Sequence, residues 1–295
     1  MPMKVGIFGQ SYYPQTQKYL QQLLGVLKKH QIDIRFEKKY LEMIIANEFI
    51  DPSSDYDSFE SLDKTYDLLF SIGGDGTILS AASLVKDLEI PIIGINTGRL
   101  GFLATIHDNE IESRIEEVLN GNYSISKRSL MKVEASENNE KLGPFNYALN
   151  DLAINRKDTT SMITIEVWLN DEYLNAYWAD GLIISTPTGS TGYSLSCGGP
   201  IITPKTNSFV ISPIAPHNLN ARPLIIPDDT EVKLRISSRE DSFLASIDAR
   251  TIAMPNNCEI YIKKADFKIG LATQKEDSFL TTLRKKLLWG EDKRN

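Results

Sequence analysis

Cysteine, histidine and long apolar runs are scarce in this 295-residue sequence, and each scarcity argues against a class of protein. The two cysteines, Cys197 and Cys258, form no C-x-x-C pair, and the three histidines lie far apart, so neither a zinc site nor a disulfide framework is predicted. No stretch approaches about 18 consecutive apolar residues, and the N-terminus enters a short strand pattern without a long apolar region. We therefore expect no membrane partner and predict a cytoplasmic location.

Positive charge is also in deficit, with 32 lysines and arginines against 39 aspartates and glutamates. The formal net charge of -7 argues against a nucleic-acid partner and against a polybasic membrane patch. Hydrophobic residues make up 41% of the chain and charged residues 24%, which is typical of a globular protein. The length is sufficient for two domains with a core each.

The first third of the chain alternates between strand and helix patterns. Apolar runs predict strands at Val5–Phe8, Ile32–Phe36, Asp67–Ile72 and Ile90–Ile95. Helical spacing predicts helices around Leu20–Leu27, Thr77–Lys86 and Ile111–Leu119, and residues 51–66 are expected to form a polar, exposed connection. This is the pattern of a parallel α/β sheet, in which ligands bind at the carboxyl ends of the strands.

After about residue 122 the pattern changes to short alternating segments separated by Asn, Asp, Gly and Pro. Strands are predicted at Ser129–Glu134, Asn146–Asn155, Met162–Leu169, Leu182–Ser185, Val232–Ile236, Phe243–Ile247 and Glu259–Lys263. A final amphipathic helix carries Phe279, Leu283 and Leu287, with Gly290 just past its end. The predicted fold class is therefore α/β plus all-β, with domains at 1–124 and 125–272 and a helix in 273–295.

A glycine-rich turn with one carboxylate follows the third predicted strand. Gly73, Gly74 and Gly76 let the backbone approach a ligand closely, and the N–H groups that open the next helix favour an anion. Asp75 would repel phosphate unless it binds a metal ion or takes a proton from a hydroxyl. The alternative is a tight turn in which Asp75 is solvated and Thr77 caps the helix. Neither a Rossmann fingerprint nor a Walker lysine is present, so the turn points to phosphoryl transfer without them.

A second glycine-rich stretch, Ala179–Pro200, carries eight Ser, Thr or Tyr hydroxyls between Ser185 and Ser196. Hydroxyls and free backbone amides suit sugars, phosphates and base edges, whereas a surface loop with ordinary turn chemistry is the alternative. Cys197 lies in this stretch without a histidine nearby in sequence, so a small buried residue is favoured over a nucleophile.

These residues together resemble the ATP-dependent NAD kinase family over nearly the whole chain. The turn Gly73–Gly76 is shared with diacylglycerol, sphingosine and 6-phosphofructo-kinases and identifies only a superfamily. Narrower resemblance comes from the segments Asn96–Leu103, Asn150–Asp151, Asp180–Gly181, Thr186–Ser196 and Ala221–Leu224. The resemblance implies a Rossmann-like N-terminal domain, a C-terminal β-sandwich, a last helix that returns to the first domain, and NAD between the domains.

The same resemblance implies that the chain phosphorylates the adenosine ribose 2'-hydroxyl of NAD, with ATP as donor and Mg2+ or another divalent cation as cofactor. Asp75 would be the general base, and the phosphate loop would be Gly73, Gly74, Gly76 and Thr77. Gly76 would also contact the dinucleotide, Asn150 and Asp151 would hold its adenosine, and Thr188 would support the adenine edge. Further contacts are implied for Asp180, Thr191, Gly192, Tyr193, Ser194, Leu195, Ser196, Ala215 and Arg250. Homodimers or homotetramers are expected from the same resemblance.

Three positions depart from the commonest family pattern. Trp178 stands where many members have arginine, which leaves the preference for NAD or NADH open, and Gly192 replaces a frequent alanine. Arg250 stands where glutamine or histidine is common, and its cation either aids phosphate binding or is solvated. Polyphosphate instead of ATP as donor and feedback by NADPH also stay open. The rival functions are a lipid kinase of the same superfamily and a dinucleotide-binding sensor without catalysis.

Overall fold

The computed structural model describes residues 2–10, 14–51, 53–98, 101–106, 110–157, 161–274 and 278–289. Its contacts divide the chain into two compact units. The first unit contains Met1–Lys127 and Ile269–Asn295, and the second contains Arg128–Lys268. An α/β unit and a β-rich unit are therefore present, as the predicted fold class requires.

The first unit is built on a parallel sheet whose strand order is β5-β4-β1-β2-β3. Its strands are β1 (Lys4–Gly9), β2 (Asp33–Glu37), β3 (Asp57–Phe59), β4 (Leu68–Ile72) and β5 (Ile92–Ile95). Its first four helices are α1 (Pro14–Lys29), α2 (Lys38–Ala46), α3 (Asp75–Val85) and α4 (Ile111–Leu119). All five residues of β4 and all four of β5 are buried, as expected for parallel strands that are covered on both faces.

The connection before β4 is less exposed than the sequence predicts. It contains the short strand β3, and the side chains of Phe59, Leu62 and Tyr66 are buried. The rings of Phe59 and Tyr66 pack edge to face with centroids 5.4 Å apart. Phe59 fits because Gly6 of β1 has no side chain, since a carbon added at its Cβ position would lie 3.3 Å from the Phe59 ring. Three scattered apolar residues thus supply a contact that periodicity does not reveal.

The described residues of the second unit form ten strands that lie entirely within it and parts of two others. Its strands are β7 (Tyr147–Ala148), β8 (Asp151–Asn155), β9 (Ile163–Leu169), β10 (Glu172–Ala179), β11 (Gly181–Ser185), β12 (Ser208–Ile214), β13 (Leu224–Pro227), β14 (Val232–Ser237), β15 (Ser242–Ile247) and β16 (Arg250–Pro255). The chain enters and leaves this unit within β6 (Ser124–Ala135) and β17 (Glu259–Thr273).

Two antiparallel layers form the β-sandwich of the second unit. One layer has the order β10-β9-β14-β17, and the other has the order β13-β12-β11-β8-β15-β16. Along β9 buried and partly exposed residues alternate, so that one face is turned to the core. Ile165 and Leu234 from the first layer and Leu182 and Ala245 from the second belong to one buried cluster. Burial of this shared cluster holds the two layers together.

Two short helices complete the described fold. The helix α5 (Tyr193–Ser196) follows β11 in the second unit, and α6 (Phe279–Leu287) belongs to the first unit. The Ser278 side chain caps α6 by accepting a hydrogen bond from Thr281 N, and Leu283 is buried. Gly290, predicted to end this helix, lies outside the described residues. Within the described ranges no helix is long and apolar enough to cross a membrane.

Candidate functional site

The glycine turn joins β4 to α3, and the helix begins two residues earlier than the sequence pattern predicts. Gly74 is the N-cap residue and Asp75 is the first helical residue, whereas Thr77 is buried inside the first turn. Gly73 has a φ of 154°, and a carbon added at its Cβ position would lie 2.1 Å from Thr77 Oγ1. The side chain of Thr77 therefore occupies the space that a glycine leaves free, and the cap position stays with the backbone of Gly74.

The Asp75 carboxylate is held by consecutive backbone amides of a second segment. Its Oδ2 accepts a hydrogen bond of 2.7 Å from Phe102 N, and its Oδ1 accepts bonds of 3.0 Å from Leu103 N and 3.1 Å from Ala104 N. A carboxylate offers about four lone-pair sites, so roughly one remains for a ligand. The neighbouring positions Arg99 and Leu100, which are part of the family segment, lie outside the described residues.

Gly101 is required for this approach. A carbon added at its Cβ position would lie 1.8 Å from Asp75 Oδ1, far inside van der Waals contact. The glycine turn and the segment after residue 100 therefore form one arrangement, with a fixed, half-buried carboxylate beside the N-terminus of α3. The unpaired N–H groups of a helix N-terminus attract anions, so the arrangement can hold phosphate next to a carboxylate.

In the second unit the pair Asn150–Asp151 is enclosed by the hydroxyl-rich stretch. Thr186 N donates to Asn150 O at 2.9 Å, and a carbon added to Gly189 would lie 2.1 Å from that same oxygen. The empty Cβ position of Gly192 lies 3.5 Å from Asn150 Nδ2 and 3.7 Å from Asp151 Oδ2. Asn150 Oδ1 is buried without a hydrogen-bond partner. A buried amide oxygen of this kind needs a donor, which a ligand can supply.

Most hydroxyls of the stretch are used inside the protein. Ser190 Oγ donates to Pro187 O at 2.7 Å, Thr191 Oγ1 donates to the carbonyl of the buried Thr188 at 3.2 Å, and Ser194 Oγ pairs with Ser212 Oγ at 2.8 Å. These side chains hold the conformation of the stretch through internal hydrogen bonds. Contacts with a ligand are then left mainly to the backbone groups of the stretch. Tyr193 and Ser196 are exposed and Leu195 is half-buried, so only part of the predicted set faces solvent.

Asp180 and Ala215 lie at neighbouring strand ends. Asp180 N donates to Ile214 O at 3.0 Å, and Ala215, the next residue, has a φ of 43°. The Asp180 carboxylate forms a 3.2 Å ion pair with Arg156. Both residues thus lie where β11 begins and β12 ends.

A second, half-buried carboxyl beside Asp151, that of Asp248, is absent from the site predicted from the sequence. Asp248 Oδ1 accepts hydrogen bonds from Asn150 N at 2.8 Å and Asp151 N at 3.2 Å, and its Oδ2 accepts one from Leu149 N at 3.0 Å. Burial, with the negative charge of Asp248 as the second cause, raises the pKa of Asp151 to about 7. Asp248 follows an alternating strand pattern without a glycine, and no local sequence pattern marks it as a site residue.

Cys197 has the environment of a structural thiol. Burial, assisted by the charge of Asp151, raises the pKa of its thiol above the ordinary value. The reactive thiolate form is correspondingly disfavoured at neutral pH. The raised pKa fits a structural role better than that of a nucleophile, but Cys197 is half-buried and not the buried residue that the sequence predicts.

Both halves of the chain match models of one protein family. Residues 5–123 match the ATP-NAD kinase N-terminal domain, and residues 149–273 match the ATP-NAD kinase C-terminal domain. The chain belongs to the ATP-NAD kinase family. The activity of this family is the ATP-dependent phosphorylation of NAD to NADP, and the resemblance read from the sequence is confirmed.

Full-length relatives agree with this membership. The chain is 53% identical over 294 residues to the NAD kinase of Christiangramia forsetii, covering 99% of this chain and 100% of that protein. It is 52% identical over 296 residues to the NAD kinase of Flavobacterium psychrophilum, with the same coverage. The curated relatives therefore align with both units together.

Two solved structures share the fold. Yeast NADH kinase complexed with NADH superposes with a TM-score of 0.85 at 24% identity, covering 99% of this chain and 89% of that one. An NAD kinase from Archaeoglobus fulgidus in complex with ATP superposes with a TM-score of 0.73 at 21% identity, covering 97% of this chain and 99% of that one. At these identities the likeness establishes the ATP-NAD kinase fold.

The guanidinium of Arg250 is bonded to backbone carbonyls and is not simply solvated, which was one of the two roles considered for it. Its guanidinium donates to Phe145 O and, at 2.9 Å, to Tyr147 O, and it lies over the Phe145 ring at 5.6 Å. Burial lowers its pKa, and Asp248 opposes that shift. The half-buried cation therefore fastens the segment before Asn150, and a contact with ligand phosphate stays a prediction.

Trp178, the other departure from the family pattern, packs against a histidine. The rings of Trp178 and His217 have centroids 4.5 Å apart, and His217 N donates to Trp178 O at 2.9 Å. Half of the Trp178 surface is exposed. An aromatic pair thus lies at the end of β10.

Proposed function

We propose that this chain transfers the γ-phosphoryl group of ATP to the 2'-hydroxyl of the adenosine ribose of NAD, with Asp75 as the group that receives the hydroxyl proton. The observation that carries this proposal is the carboxylate fixed by three backbone amides at the start of α3, beside the glycine turn. Phosphoryl transfer depends chiefly on positioning the nucleophile and donor in line and on stabilising charge. A carboxylate that cannot swing away satisfies the positioning requirement.

The glycine turn is proposed to receive the phosphates of the donor. Gly73 is in a conformation that favours glycine, and Gly76 in the first turn of α3 is exposed, so the N–H groups that open this helix are the proposed phosphate donors. Mg2+, when bound, would neutralise negative charge on the transferred phosphoryl group. Such an ion is commonly held by one or two carboxylates and the phosphates themselves. In the described ranges no cluster of three or more His, Cys, Asp or Glu side chains is placed to hold a metal.

The adenosine of NAD is proposed to bind at Asn150 and Asp151. The buried, unpartnered Asn150 Oδ1 suits the exocyclic amino group of adenine, which is a hydrogen-bond donor. The Asp151 carboxylate, when ionised, accepts hydrogen bonds from ribose hydroxyls. Gly192 lies beside both side chains, and roles for Thr188, Thr191 and Tyr193 rest on the family resemblance.

The proposal is tested by NADP formation from NAD, ATP and Mg2+, measured with an NADP-specific dehydrogenase. Asp75→Asn removes the proton acceptor, so we expect a loss of turnover on the order of 10²-fold or more with NAD binding largely retained. Asp87→Asn, the same change at an exposed position just after α3, is the matched control and should keep normal turnover. Near-normal turnover of Asp75→Asn would remove the assigned role.

The same assay separates the alternative functions. A dinucleotide-binding sensor would bind NAD and form no NADP, whereas a lipid kinase would phosphorylate diacylglycerol in vesicles. Replacing ATP by polyphosphate, and NAD by NADH, decides the donor and the acceptor. A homodimer or homotetramer and a cytoplasmic location stay predictions, the first of which light scattering on the purified protein would test.

A further inference from the structure

We propose that Asp248 is a positioning residue that fixes Asn150 and Asp151 for the dinucleotide and makes its binding depend on pH near neutrality. The proposal rests on the proposed function, because it takes Asn150 and Asp151 as the adenosine-binding pair. Asp248 itself is not proposed to touch NAD. It acts through the backbone and the carboxyl group of its neighbours.

The first step is the hydrogen bonding around Asp248. Three successive N–H groups, those of Leu149, Asn150 and Asp151, converge on its carboxylate at 2.8 to 3.2 Å. In return, Asp248 N donates to Asp151 O at 2.9 Å. These four bonds fix the peptide planes on both sides of Asn150. A site residue whose flanking peptides are fixed loses less conformational entropy when it binds a ligand.

Strand pairing in the second layer places Asp248 beside Asp151. Asp248 and Ala249 form the two-residue turn between β15 and β16, where Ile247 is paired with Arg250. On its other side β15 pairs with β8, where Ile247 is paired with Leu152. The turn therefore lies opposite Asp151, the first residue of β8. Asp248 has a φ of 51°, which aspartate and asparagine tolerate better than most residues.

Asp248 also places a second carboxyl next to Asp151, and burial raises the pKa of Asp248 while its three amide bonds and the charge of Arg250 oppose that shift. Asp151 is buried, and the groups that face this pair are Tyr193 and Cys197 on the side of Asp151 and Arg250 on the side of Asp248. Burial first, and Asp248 second, raise the pKa of Asp151 to about 7. The ionised form is the better acceptor for ribose hydroxyls. NAD affinity should therefore increase as pH rises through about 7.

At low pH the two effects of Asp248 oppose each other, because its hydrogen bonds to the backbone favour NAD binding whereas its charge favours the protonated form of Asp151. Asp248→Asn turns one of its two oxygens into an N–H donor, so at least one of the three amide bonds is lost. The same change removes a negative charge and lowers the pKa of Asp151, so more Asp151 is ionised below pH 7. The variant should therefore be impaired most at high pH and least at low pH. A substitution that merely loosened the fold would weaken binding similarly at every pH.

The experiment is titration of NAD binding to the intact chain from pH 5.5 to 8.5, together with KM and kcat for NADP formation. For Asp248→Asn we expect NAD affinity about tenfold weaker at pH 8, a smaller deficit at pH 6, a lower pH midpoint and a kcat changed less than KM. Asp228→Asn is the matched control, because Asp228 is a buried carboxyl of the second unit that is paired with Lys264 at 2.9 Å. It should keep the wild-type affinity and midpoint.

Asp151→Asn provides an independent arm if Asp248→Asn does not fold. It removes the titrating group and should abolish the midpoint near pH 7, and a persisting midpoint would overturn the proposal. Unchanged KM and midpoint in folded Asp248→Asn would overturn it as well. Failure of the proposed function looks different, since wild-type protein would then form no NADP in any of these assays.

Discussion

Replacing Gly101 by alanine tests whether the Asp75 carboxylate must stay where the structure places it. The added methyl carbon would lie 1.8 Å from Asp75 Oδ1 and 2.4 Å from its Cγ. Contact at ordinary van der Waals distance begins near 3.4 Å, so the two groups must separate by roughly 1.6 Å. Gly101 has no positive φ, so alanine brings no backbone strain of its own. The clash with the carboxylate is the principal effect.

A displacement of about 1 Å at a reacting group can cost on the order of 10²-fold in rate, which corresponds to about 2.7 kcal/mol. We therefore expect Gly101→Ala to lower kcat for NADP formation on the order of 10²-fold while KM for NAD changes little. The matched control is Gly98→Ala in the same segment, because an added carbon there meets nothing within 4 Å. Circular dichroism and thermal unfolding would verify that both variants fold.

The result that would refute this reasoning is a folded Gly101→Ala protein with kcat close to that of Gly98→Ala. It would mean that the carboxylate can move by more than 1 Å without loss of chemistry, and that its three amide contacts are not part of the catalytic arrangement. An equal loss in both variants would instead assign the effect to the stiffness of the segment.

Two further predictions concern ionisation in the second unit. Because the pKa of Asp151 is raised from 3.8 to about 7 in the folded state, it favours folding fully below pH 4 and loses this contribution as pH rises through 7. Urea unfolding should give a free energy about 2 kcal/mol lower at pH 8 than at pH 5.5, and Asp151→Asn should flatten this dependence; equal slopes for both proteins would contradict it. Because burial raises the pKa of Cys197, its alkylation by iodoacetamide at pH 7.5 should be slower than that of free cysteine, with modified peptides identified by mass spectrometry. Rapid alkylation at Cys197 in the folded protein would contradict that assignment.

Local sequence patterns predict the bounds of a helix or strand when the residues that set those bounds lie within the element itself. The helix Ile111–Leu119 has the predicted bounds, because Ile111, Ile115 and Val118 form one apolar face within nine residues. The strand before the glycine turn was predicted within one residue of Leu68–Ile72, because its burial on both faces gives a continuous apolar run. The fold class follows from many such elements read in order.

Contacts between distant residues could not be predicted in this way. Asp248 accepts a hydrogen bond from Leu149 N across 99 positions of sequence, and no pattern near either residue predicts this contact. The same holds for Asp75, whose partners lie 27 to 29 positions away, although the glycines on both sides of the contact were visible as parts of family segments. Hydroxyl density predicted a ligand-binding stretch, yet Ser190 and Ser194 use their side chains internally. The folded structure is needed to distinguish the hydroxyls that are bonded internally from those that face solvent.

The passage of the chain through β6 and β17 has a consequence for how the protein is made. The first unit is interrupted after Lys127 and resumes only at Ile269, and Leu271 pairs with Ile92 of β5 while Ala272 completes the first core. During synthesis on the ribosome the edge of β5 therefore waits unpaired until the whole second unit has emerged. An uncovered apolar edge strand invites association with other nascent chains. Chaperones would be needed most between the synthesis of β5 and the synthesis of β17. A fragment that ends at residue 127 would keep this edge of β5 unpaired.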